Sequence, residues 1–215
     1  MKGFIVGVML LGLAGGTAWA EEFSRETHIG KAKIKVVFNS VAPDARPTGP
    51  AKNPRVGVAP SAHAEFGNFI TKSLDDSARV QVTSPSRLTS DNLPVGFSFD
   101  AVTRSELRDA LTAACSKARL DYALVFGAST TTMKMDVTVF IVGLGRNRTR
   151  LSYEARLYDC RSKAIVWNQG VMIEGSQGMF SSAVTGNMMG NQFGADGSKA
   201  AAAIFSDKLI ADMAW

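Results

Sequence analysis

The chain has 215 residues, with 24 Lys+Arg against 19 Asp+Glu, a formal charge of +5, and 46% hydrophobic residues. Those figures describe a globular chain of about one domain and exclude wholesale disorder, collagen-like repeats and a disulfide-dense scaffold, since there are only two Cys. A mild basic excess suits solubility and weak attraction to anionic surfaces, and falls short of a nucleic-acid-binding composition.

Residues 1–20 read as a secretory signal peptide. Lys2 supplies the positive n-region, Phe4 to Ala14 is apolar or Gly, and Ala18-Trp19-Ala20 gives a cleavage site before Glu21. Removing it leaves 23 basic and 19 acidic side chains, a formal +4. Glu21 stands where a lipoprotein needs Cys, so the expectation is a periplasmic protein without a lipid anchor of its own, in reach of the outer membrane.

Residues 21–54 are expected to form an extended arm. The stretch to Lys33 is polar, and Ile34 to Phe38 is a short β-prone run. Five of the seven prolines then fall between Val41 and Pro60, a density that forbids helix. Residues 55–215 are expected to make one α+β domain, opening with a strand at Arg55 to Ala59.

A helix over Ala62 to Ser77 follows, with Phe66, Phe69, Ile70 and Leu74 on one stripe. Val80 to Val82 is a short strand. Thr103-Arg104-Ser105-Glu106 is a capping box opening a helix whose buried side includes Leu107, Leu111, Ala114, Cys115 and Ala118. Tyr122 to Phe126 is continuously apolar, the pattern of a strand buried on both faces. Alternation from Met133 to Ile141 and from Leu151 to Leu157 predicts a hairpin, and Ile165 to Ile173 a further antiparallel strand. Residues 175–198, rich in Gly, Ser, Asn and Met, predict a flexible loop, and Lys199 to Trp215 a closing helix. The order is β-α-β-α-β-β-β-β-α: an antiparallel or mixed sheet with helices packed on one face.

Cys115 and Cys160 would meet an oxidising compartment, where an even pair favours a disulfide, a staple from helix to sheet. Two buried thiols are the other reading of the same pair.

Three segments carry a family resemblance. A capped helix runs into Leu120 to Gly127, a hairpin returns through Leu157-Tyr158-Asp159-Cys160-Arg161-Ser162-Lys163-Ala164-Ile165-Val166-Trp167, and an amphipathic helix closes the chain. These phrases resemble the bacterial envelope proteins grouped around CsgG, the TolB N-terminal domain and the LpoB-type lipoproteins. The resemblance covers roughly Arg55 to Trp215 and implies the α+β fold and a role in secretion or envelope assembly. Two departures stand out: the lipid-accepting Cys is missing, and Ser162-Lys163 replaces the family's usual Thr-Gly. In that turn Asp159 is placed to accept backbone amides.

No catalytic, cofactor or metal site is expected. His28 and His63 are the only imidazoles and are far apart, Asp75-Asp76 end a helix, and Gly143-Leu144-Gly145 lacks the third glycine of a dinucleotide site. Met179, Met188 and Met189 suit an adaptable apolar contact better than soft-metal binding. The candidate interaction site is the hairpin tip. Phe140, Ile141, Val142 and Leu144 are apolar, and Arg146, Arg148 and Arg150 make a cationic collar suited to an anionic membrane or a partner protein. Alternatively the apolar residues pack on the chain's own loops, leaving the arginines solvated.

The function expected is a non-catalytic accessory protein that binds envelope partners or its own copies, with no small-molecule cofactor and no nucleic acid. Two rivals remain: a small-molecule or glycan-binding protein using Tyr122, Tyr153, Tyr158 and Trp167 around a cleft, and a surface filament or matrix subunit.

Overall fold

Ile34, Val36 and Phe38 recur every second residue, as do Tyr122, Leu124 and Phe126, and all six side chains are buried in one core. A computed structural model describes residues 22–29, 32–47, 52–59, 64–83, 104–127, 130–136, 146–178 and 194–215. Its strands are β1 (Glu22–Ile29), β2 (Ala32–Ser40), β3 (Arg55–Val58), β4 (Gln81–Thr83), β5 (Tyr122–Phe126), β6 (Thr130–Asp136), β7 (Arg146–Asp159) and β8 (Ala164–Gly178). The helices are α1 (Ala64–Asp76), α2 (Arg104–Ala118) and α3 (Gly194–Met213).

The strands form one mixed sheet in the order β1-β2-β8-β7-β5-β3-β4, with β6 also paired to β7. The chain is therefore α+β, and from β3 onward its elements follow the predicted order. β3 lies parallel to β4 and β5, while the other pairings are antiparallel. β5 and β6 share one edge of the long β7: β5 pairs with its Ala155–Asp159 end and β6 with its Arg146–Ser152 end.

Three expectations are corrected. The sheet does not begin at residue 55. β1 and β2 pair along their whole lengths and β2 pairs with β8, so 22–40 is part of the domain and not an arm. The proline-bearing stretch after β2 docks on the same neighbour: the amides of Val41 and Asp44 donate to the carbonyls of Asn168 and Ile165 at 3.0 and 2.8 Å. Next, the helices cover both faces. Phe66, Ile70 and Leu74 of α1, with Phe205 and Leu209 of α3, join Tyr122, Leu124 and Phe126 in one core. Leu111, Ala114 and Cys115 of α2 join Ala123 and Val125 in another. Successive strand residues point to opposite faces, so an all-apolar β5 requires cover on each side. Finally, the 175–198 loop is narrower than expected, because β8 runs on to Gly178 and α3 starts at Gly194. The signal peptide, the Thr103 cap and the three loop methionines lie outside the described residues.

The β7–β8 turn takes the form its composition implies. One carboxylate oxygen of Asp159 accepts the amides of Arg161 at 2.8 Å and Ser162 at 3.2 Å. Lys163 then adopts φ 55°, the left-handed conformation that glycine adopts without strain. That is the position where the resembled family has its Gly.

Candidate interaction surface

The predicted site residues separate into two groups. Phe140, Ile141, Val142 and Leu144 lie outside the described residues. Arg146, Arg148 and Arg150 occupy alternate positions at the start of β7, hence one face of the sheet. The register sets Arg150 opposite Glu174 of β8, and Arg148 between Ser176 of β8 and Lys134 of β6. The Arg150 side chain is exposed, and its Nε donates to Glu174 Oε1 at 2.8 Å.

Cys115 and Cys160 are joined in a disulfide, with Cα atoms 5.7 Å apart. It ties α2 to the β7–β8 turn. Two polar contacts hold α2 elsewhere: Thr112 Oγ1 lies 2.7 Å from the Tyr158 hydroxyl of β7, and Arg108 pairs at 2.7 Å with Asp44 of the stretch after β2.

The half of the sheet formed by β1, β2, β8 and β7 has two unlike faces. On one, α3 packs over the strands: Arg25 pairs with Asp207 at 3.0 Å, and the Lys208 ammonium sits 5.3 Å from the centre of the Phe23 ring. Phe23 in turn contacts Phe38, with ring centroids 5.9 Å apart. On the other face lie Ser24, Glu26 and His28 of β1, Lys33, Lys35, Val37 and Asn39 of β2, Glu174 of β8, and Arg150 and Glu154 of β7. None of these belongs to either hydrophobic core. Val37 is buried, Lys35 and Glu174 are half-buried, and the remaining seven side chains are exposed.

Pairing across β1–β2 and along β7 organises the charges on this face. Lys33 Nζ meets Glu26 Oε2 at 2.6 Å, and Glu154 pairs with Arg156 at 2.7 Å. The hydrogen bond from Lys33, helped by its charge and those of Lys35 and His28, holds the Glu26 carboxyl below its ordinary range. Solvent screens the exposed Lys33–Glu26 pair, so it adds little to stability. What these pairs supply is an ordered array of charges at strand spacing.

The aromatic cleft of the ligand-binding reading does not assemble. Tyr158 is buried in the α2 core, whereas Tyr122 and Trp167 are buried in the core beneath α1 and α3 on the opposite face. Trp167 Nε1 donates to Asp212 at 2.8 Å, and Tyr122 packs on Trp215 with centroids 5.2 Å apart. These rings hold the layers together. The Tyr153 side chain is outside the described set.

Sequence reasoning missed β1 as a site element. The available signal was its alternation: Phe23, Arg25 and Thr27 occupy the α3 face, directly opposite Phe38, Val36 and Ile34. Among the described residues no strand pairs with the outer side of β1, an edge eight residues long.

No family model matches the chain, and no curated protein matches it. Among solved structures, it is similar to the PelC dodecamer from Paraburkholderia phytofirmans at 11% identity, over 89% of this chain and 96% of that one, with a TM-score of 0.33. It is also similar to the hypothetical protein CT253 from Chlamydia trachomatis, at 12% identity over 76% and 94% of the two chains, with a TM-score of 0.35. At those values the likeness carries no argument about function.

Proposed function

We propose that this chain is an exported, non-catalytic protein of the bacterial cell envelope that works in the periplasm by binding envelope components, copies of itself among them. The observation that carries the reading is the half-sheet of β1, β2, β8 and β7, whose named polar residues belong to neither core and whose end, among the described residues, is an unpaired strand edge. An edge that offers unpaired backbone groups is a template for another chain, and an adjoining charged face steers and orients what docks. The Cys115–Cys160 bond accords with an oxidising compartment, as does the signal-peptide pattern of residues 1–20. The CsgG-like phrases of the sequence point to the same setting.

Reversing three cations of the face tests this. Lys33→Glu, Lys35→Glu and Arg150→Glu together are expected to lower the fraction of mature protein that sediments with the envelope by about tenfold at low salt, because electrostatic docking is screened within about 10 Å at 0.1 M salt. The unfolding transition should remain cooperative. Undiminished sedimentation would contradict the assignment of this face.

A further inference from the structure

Among the described residues the outer edge of β1 is unpaired, and its sequence bears on which partner and register would fit it. We propose that a second copy of this chain pairs with it, β1 against β1 and antiparallel, with Thr27 on the twofold axis. The proposal rests on the assembly reading above and names one partner and one contact within it.

Two copies of an edge strand related by a twofold axis perpendicular to the sheet place each residue opposite a residue of the same face. Only registers centred on a single residue satisfy this, so the choices for β1 can be taken one by one. Centring on Arg25 sets two guanidinium groups against each other, and centring on Glu26 sets two carboxylates against each other. Centring on Ser24 opposes Glu22 to Glu26 twice. Like charges directly opposite one another destabilise a ladder.

Centring on Thr27 removes every such conflict. Thr27 meets Thr27, Glu26 meets His28 on both sides of the axis, and Arg25 stands opposite position 29. Threonine pairs and carboxylate–imidazole pairs are favourable cross-strand neighbours. This register also engages residues 25–29 of each copy, whereas centring on Phe23 or His28 engages only three.

The surroundings leave the contact accessible. Glu26 and His28 are exposed and lie on the polar face, away from α3. The α3 contacts of β1 fall on Phe23 and Arg25, at the opposite end of the strand from the axis. Pairing would make one continuous sheet through both copies and would satisfy the edge that each leaves open.

The test uses the mature full-length protein. Wild type should run at twice the single-chain mass in sedimentation. Thr27→Lys, which brings two ammonium groups face to face, should return it to the single-chain mass. Because both native cysteines are bonded to each other, an introduced thiol is unique. Thr27→Cys should cross-link to a covalent dimer on mild oxidation, its Cα atoms falling within about 4.5–5.5 Å across the axis. Ser24→Cys should not, since in this register its two copies stand about 20 Å apart. A wild type of single-chain mass would overturn the self-pairing while leaving envelope binding to the charge-reversal test. A larger mass that Thr27→Lys leaves unchanged, or equal cross-linking at Ser24, would overturn the β1 contact and leave assembly standing.

Discussion

Phe205→Ala is expected to cost about 3–5 kcal/mol, the largest loss from any single truncation of a core side chain in this protein. Phe205 is wholly buried and sits where four other elements meet. Its ring lies 6.0 Å from Phe38 of β2, 6.4 Å from Phe66 of α1, 5.9 Å from Phe126 of β5 and 5.7 Å from Trp167 of β8. Deleting it removes the transfer free energy of one aromatic ring and leaves a cavity that rigid strands on one side cannot collapse to fill. A loss of that size is a large part of the roughly 5–15 kcal/mol that holds a domain folded. Urea unfolding of the variant checks it. Phe23→Ala, at an edge position that is 40% exposed, should cost less than half as much. Equal losses for the two would mean that Phe205 is not the junction described.

Removing the disulfide is expected to have the second largest effect. Cys115 and Cys160 are 45 residues apart in sequence, and closing a loop of that length restricts the unfolded chain by about 4 kcal/mol in the entropic treatment. Among the described side chains, α2 brings Leu111, Ala114 and Cys115 to its cluster, so the bond is anchored within that core. The double substitution Cys115→Ser with Cys160→Ser should lower stability by about 2–4 kcal/mol, and hydrogen exchange should rise in α2 ahead of α1 and α3. Reduction of the wild type should reproduce both changes. Identical unfolding of oxidised and reduced protein would contradict the role given to this bond.

The elements that could be read from sequence are those with a local physical cause. β5 was legible because an unbroken apolar run of five residues has few uses other than a strand covered on both faces. The same run implied cover on each side of the sheet, which the expectation of helices on one face overlooked. The Asp159 turn was legible because a carboxylate two and three residues before free amides has a defined task.

β1 was not legible, for an equally physical reason. One of its faces lies at the margin of α3 and the other belongs to neither core, so its eight residues include only two large apolar side chains, Phe23 and Ile29. The prolines after Val41 then suggested a boundary, although the stretch following β2 hydrogen-bonds back to β8. Helix ends were similarly obscured. Ala78, Arg119 and Ala214 close the three helices in the left-handed conformation, where glycine would have been the recognisable signal.

The candidate surface divides in the same manner. The arginines of β7 were visible as a charge pattern, but their meeting with Glu174 depends on the β7–β8 register. The open β1 edge depends on the strand order of the whole sheet, which no local pattern contains.

The most direct measurement is the mass of the mature protein by light scattering, after gentle extraction from its native envelope fraction. A discrete mass above that of one chain is the predicted result, and its co-purifying components would identify what the half-sheet binds. A clean single chain in that extract, with nothing bound, would contradict the proposal that this protein works by assembly.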